Sequence, residues 1–130
     1  MDGLVQNIGL LFFRVSIGCL MMFGHGWGKL VNFSKIAPGF PDPLGLGSTA
    51  SLGLTVFAEF FCAFAIILGL KTRWASIPLV ITFLVIPFIV HGGDPWRKQE
   101  FAILYLIPFI TLMCIGGGKY GLDSVISRKG

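Results

Sequence analysis

Two charged side chains lie in the middle of long apolar runs, Arg14 in the first and Glu59 in the second. A charge at the bilayer centre costs about 2.5–3.5 kcal/mol even on the lenient insertion scale, so it must be paired or face a polar cavity. Arg14 lies ten residues past Leu4, and Glu59 lies eleven residues before Leu70. On antiparallel helices rising 1.5 Å per residue, both then sit about 15–17 Å from the same edge. The spacing predicts an Arg14–Glu59 ion pair. Such a pair can hold an anion, polarise the carbonyl of a quinone-like ligand or relay a proton. It can equally do no more than lock helix register.

A second group is the string His25-Gly26-Trp27-Gly28-Lys29. At 100° per residue, Arg14, Gly18, Met21, His25 and Lys29 share a sector of about 80° on one helix face. That polar stripe, with a small residue for close packing, should point inward. His91, Asp94 and Glu100 belong to the same end of the molecule. Together they give an expected polar pocket of His25, Lys29, His91 and Glu100, with Asp94 and Trp96 beside it. Two imidazoles and a carboxylate are metal-ligand types. No H-x-x-H or similar spacing supports a metal, however, so a metal is not expected, and the cofactor stays open with a quinone among the candidates. The plainer reading is an interfacial hydrogen-bond network, with Trp27 and Trp96 as belt anchors and Lys29 reaching to the headgroups.

The elements that must position these groups are apolar helices. The chain has 130 residues, 55% hydrophobic and 12% charged, and a mean hydropathy of +0.84. A soluble domain carries about 25% charged residues. Thirteen Phe and eighteen Gly suit helices that face lipid and approach one another closely. The net charge of +4 does not indicate nucleic acid, because Lys and Arg sit in loops and ends and not along one stripe. Cys19, Cys62 and Cys114 form no C-x-x-C pair and read as small buried hydrophobes.

One domain over residues 1–130 is expected: an all-α, integral membrane four-helix bundle. The spans run over about 4–30, 52–70, 74–90 and 100–115, with antiparallel neighbours and both termini on the same side. The first run lacks a basic leader and a small-residue cleavage site, and is expected to be retained as a span. The segment 32–51, with Pro38, Pro41 and Pro43, cannot be one regular helix and should cover one end as a loop or short interfacial helix. Lys71-Thr72-Arg73 reads as a tight turn, and Gly116-Gly117-Gly118 as the stop of the fourth helix, followed by a basic tail. Pro78, Pro87 and Pro108 predict kinks. Lys71, Arg73, Lys119, Arg128 and Lys129 on the side of the termini favour a cytoplasmic placement for both.

Taken in order along the chain, these residues resemble the DoxX family of small four-helix bacterial membrane proteins. The first-helix string Arg14-x3-Gly18-x6-His25-Gly26-x2-Lys29 is similar to that family's signature. So are Glu59, Gly69-Leu70-x-Thr72-Arg73-x-Ala75, Glu100, and Gly116-x-Gly118-x3-Leu122-Asp123. The resemblance implies a bacterial cytoplasmic (inner) membrane protein associated with an oxidoreductase system. Family members are linked to thiosulfate oxidation with quinone as acceptor, or to membrane complexes handling oxidative or thiol stress. A partner subunit carrying a cofactor is then expected, since this chain has neither a thiol pair nor paired haem histidines on one helix. A homo-oligomer is compatible with this. The alternatives are a small-molecule transporter half, which would need an oligomer because no inverted repeat is present, and a structural anchor for a soluble enzyme.

Overall fold

The computed structural model describes residues 2–42, 45–85 and 96–129. The end of the expected third span and the connection after it, with Pro87, His91 and Asp94, lie outside the described residues. Among the described residues all regular structure is helical.

Helix α1 (Asp2–Met21) passes without a break through a π-helical turn (Met22–Gly26) into α2 (Trp27–Val31). The continuous apolar helix Gly3–Val31 is 29 residues long. At 1.5 Å per residue that is about 43 Å, longer than the roughly 30 Å hydrocarbon core of a bilayer. At Asn32 the backbone leaves the helix, and the Asn32 side-chain amide donates to the Gly28 carbonyl at 3.0 Å. A short α3 (Phe33–Ile36) and one 3-10 turn (Ala37–Gly39) follow. The segment is thus divided as expected, with Pro38 in the 3-10 turn and Pro41 in the non-helical stretch after it, Pro43 lying outside the described residues. Its apolar residues are not idle: Ala37 packs with Leu52 and Val56 in a small satellite core that also takes in Leu30, Phe33 and Phe60.

Asp42 organises the entry to the next helix. Its carboxylate accepts from the Leu46 amide (2.9 Å), the Gly47 amide (2.8 Å) and the Ser51 hydroxyl (2.8 Å). Helix α4 (Ser48–Val56) then runs through a second π-helical turn (Phe57–Cys62) into α5 (Ala63–Leu68), an apolar helix of 21 residues. It ends in a Schellman motif: Gly69 is left-handed at φ 72°, its amide donates to Ile66, and the Leu70 amide donates to Ala65.

Lys71 makes the turn, itself left-handed at φ 47°, and α6 (Thr72–Val85) begins at once. The tight reversal read from Lys71-Thr72-Arg73 is therefore present and packs α6 against α5. Helix α7 (Trp96–Ile115) pairs extensively with α6. It stops at Gly116, left-handed at φ 78°, as the glycine run predicted. The basic tail forms a further helix, α8 (Leu122–Lys129).

The main core gathers Met21, Ala58, Cys62, Ile66, Leu79, Phe83, Leu106, Phe109 and Leu112. Outside it, large apolar side chains face away: Phe12, Trp74 and Leu104 are 74%, 73% and 61% exposed. Only 22% of the apolar window of the first long helix is buried, so that helix is not the core helix of a water-soluble domain. In water so much apolar surface invites association, whereas in lipid it is the expected exterior.

Candidate functional site

The register of the two long helices decides which charges meet. Gly18 lies against Ile67 and the Ala63 carbonyl, and Gly26 against the backbone of Glu59 and Phe60. A Cβ at Gly26 would fall 2.6 Å from the Glu59 carbonyl oxygen, so only glycine permits this crossing. Moving from Gly26 to Gly18 along one helix moves from Glu59 to Ile67 along the other, which makes them antiparallel. By the same register Arg14 faces the Gly69 turn, and the first helix overshoots its partner there by about eleven residues, or about 16 Å.

The expected Arg14–Glu59 pair is accordingly not formed. Glu59, 1% exposed, is paired with Lys29: the ammonium lies 2.6 Å from one carboxylate oxygen and 3.0 Å from the other. Arg14, also 1% exposed, donates to backbone carbonyls, to Gly117 at 2.8 Å and to Tyr120 at 3.4 Å. The depth argument assumed that both helices end flush, at Leu4 and Leu70. The first helix is much the longer, and the glycine contacts set its position. Gly18 and Gly26 were the available signal, since small residues mark where membrane helices approach most closely.

Both partners at the crossing are π-helical. Met22–Gly26 carries His25, and Phe57–Cys62 carries Glu59. The two turns touch. A π-turn inserts one extra residue and shifts the faces that follow; such turns occur disproportionately at functional sites. Here the first turn aims Lys29, one helical turn beyond His25, at Glu59. Lys29 retains 25% side-chain exposure, whereas the Glu59 side chain is 1% exposed. An ammonium has three donors, and among the described residues the Glu59 oxygens are the acceptors of Lys29.

His25 packs against α7, its ring 5.0 Å from Tyr105 in an edge-on arrangement and 5.4 Å from Phe101. Tyr105 stacks on Phe83 at 5.6 Å. Tyr105 was missed in the sequence, where one aromatic in an apolar run reads as core. Glu100 is exposed on α7 and joins no hydrogen bond or ion pair with the cluster among the described residues. Trp96 is 62% exposed beside it, and His91 lies outside the described residues. The predicted six-residue set thus divides: Lys29 and Glu59 are joined, with His25 beside them through the π-turn; Arg14 belongs to another place; Glu100 points outward.

The other place is a cradle of glycines. A Cβ on Gly69 would lie 2.4 Å from Arg14 Nη1, one on Gly121 2.8 Å from the same atom, and one on Gly117 3.4 Å from it. Gly69 also accepts from the Asp123 amide at 3.1 Å, and the Asp123 carboxylate accepts from the Lys71 amide. Arg14 therefore ties the first helix to the 69–71 turn and to the segment after α7. The motifs Gly69-Leu70-x-Thr72 and Gly116-x-Gly118-x3-Leu122-Asp123 are the parts of one joint.

Among the described residues, an all-helical fold with an exterior of large apolar side chains and with Glu59 and Arg14 hydrogen-bonded inside is that of a small helical membrane protein. The chain belongs to the DoxX family, whose model matches residues 9–92. It is 23% identical over 140 residues to an uncharacterized protein of Haemophilus influenzae, covering 98% of this chain and 89% of that one. No solved structure matches it.

Proposed function

We propose that this protein is a subunit of an oxidoreductase system in the bacterial cytoplasmic membrane, and that its Lys29–Glu59 site takes the head group of a quinone or a similar small carbonyl compound. In this reading the four apolar segments cross the bilayer with both termini cytoplasmic, and a partner subunit supplies the redox cofactor. The observation that carries it is the buried Glu59 carboxylate held at the crossing of two π-turns by a lysine that remains partly exposed. A pair meant only to lock register gains nothing from an accessible member. A partly exposed lysine has a donor to offer a ligand carbonyl, while Glu59 stands next to it as proton acceptor. His25, Phe101 and Tyr105 offer flat faces to a ring of that size.

Protein purified in mild detergent should co-extract quinone, detected by mass spectrometry of the organic extract. A short-chain quinone should then quench Trp27 fluorescence saturably. Lys29→Ala should weaken that binding by about tenfold or more, the value of one charge-assisted hydrogen bond. Quenching that rises linearly without saturation, with no co-extracted quinone, rejects the reading.

A further inference from the structure

Helix α8 starts at the Arg14 end and is tied there through one side. The Asp123 amide donates to the Gly69 carbonyl at 3.1 Å, and the Asp123 carboxylate accepts from the Lys71 amide. Asp123 and Ser124 are half-buried. Leu122, Val125 and Ile126 stand at i, i+3 and i+4 and share a stripe about 100° wide. All three are exposed, Ile126 at 57%, and none belongs to either apolar core.

Size, charge and position together indicate what covers this stripe. Eight helical residues are about 12 Å long. Three side chains on that length fall far short of the roughly 800 Å² per partner of a stable protein interface, whereas a bilayer accepts apolar area of any size. The segment 119–130 is basic, with Lys119, Arg128 and Lys129 against the single acid Asp123, which is engaged at the joint. That balance is complementary to an anionic surface. Position is the independent observation. Leu10 of the first helix lies against Gly118, just before α8. On the same overhanging end of that helix Leu4, Val5, Ile8 and Phe12 are exposed. Lipid that covers them reaches past the level of the Gly69 turn, and so reaches α8.

We propose that α8 docks on the anionic phospholipid surface of the bilayer, lying in the headgroup plane with Leu122, Val125 and Ile126 toward the acyl chains. So short a helix would not hold to lipid alone. The bundle supplies a high effective concentration, because α8 is joined to helices already in the membrane. The basic residues make the docking depend on lipid charge. None of these residues belongs to the Lys29–Glu59 site, so the two proposals fail separately.

The whole protein is placed at one copy per nanodisc, in phosphatidylcholine alone or mixed with phosphatidylglycerol. Amide exchange is followed by mass spectrometry in peptides covering 122–129, corrected for intrinsic rates. Exchange should be about tenfold slower with phosphatidylglycerol present. Arg128→Gln together with Lys129→Gln should remove that difference. Ile126→Ser should return exchange to its rate in phosphatidylcholine. Peptides covering Gly69 and Gly117 should stay equally protected throughout, which shows that the joint is folded; Val125→Ser replaces Ile126→Ser if they loosen. The proposal is overturned if wild-type α8 exchanges equally in both discs, or if the variants leave the difference intact. It is also overturned if the slowing needs two copies per disc, which would assign the stripe to a second copy of the chain.

Discussion

Among the described residues, the two buried charges are satisfied in opposite ways. Glu59 is met by another side chain, Lys29, on a helix turn that has been displaced to deliver it. Arg14 is met by peptide carbonyls of Gly117 and Tyr120, inside a shell of glycines that admits no other side chain. A side-chain partner can turn away, change protonation or be shared with a ligand. A backbone acceptor does none of these without moving the segment that carries it. The Lys29 end therefore has the properties of a site, and the Arg14 end those of a joint.

The contrast is sharpest for single substitutions in the ion pair. Lys29→Ala leaves the Glu59 carboxylate buried and unpaired, and should lower stability by about 3–5 kcal/mol, measured as denaturant unfolding in detergent. Glu59→Gln leaves Lys29 partly exposed and free to extend to the headgroups, so it should cost only about 1–2 kcal/mol. Lys29→Met with Glu59→Gln should recover much of what Lys29→Ala loses. Equal losses for the two single variants would mean that Lys29 is no more accessible than its partner, and the distinction between site and joint would go.

At the joint, Gly69→Ala combines a left-handed backbone with a Cβ that meets Arg14 Nη1 and Gly121 Cα at 2.4 Å. A loss of about 2–4 kcal/mol is expected from overpacking and strain together. Arg14→Gln and Glu59→Gln share no partner, so their effects should add to within about 0.5 kcal/mol in a double-mutant cycle. A coupling well above that would restore the direct Arg14–Glu59 contact predicted from spacing alone.

Much of the fold was legible because membrane helices announce themselves by length and composition. The Lys71 reversal, the stop at Gly116 and the division of 32–51 all follow from glycine, proline and charge placed between apolar runs. Of the stripe Arg14, Gly18, Met21, His25 and Lys29, the first three are buried and the last two half-buried, with the π-turn turning His25 to α7 and Lys29 to Glu59. What spacing did not convey was register, because periodicity gives the direction of a side chain around a helix and not its height against a neighbour. Arg14's true partners were hidden for a second reason. They are main-chain carbonyls more than a hundred residues away, and any residue type supplies those. The π-turns left no trace in composition, and Tyr105 looked like filler.

The comparison extends to acid. Asp42, at the Lys29 end, holds the turn at Leu46 and Gly47 before α4 through the Ser51 hydroxyl and the Gly47 and Leu46 amides. Those bonds, the Ser51 hydroxyl foremost, hold its carboxyl below the usual carboxylate range. A carboxyl whose folded pKa is depressed contributes stability that is present above its unfolded pKa and is lost as pH falls through the folded value. Acidification should therefore release this turn, seen as faster amide exchange in peptides covering Leu46 and Gly47. Asp42→Asn should exchange fast at every pH and remove the dependence. The carbonyls that hold Arg14 do not titrate, so peptides covering Gly117 and Tyr120 should show no acid release beyond the intrinsic pH dependence of exchange. Simultaneous loosening of both ends would instead mark one cooperative unit, in which the site could not respond without the joint.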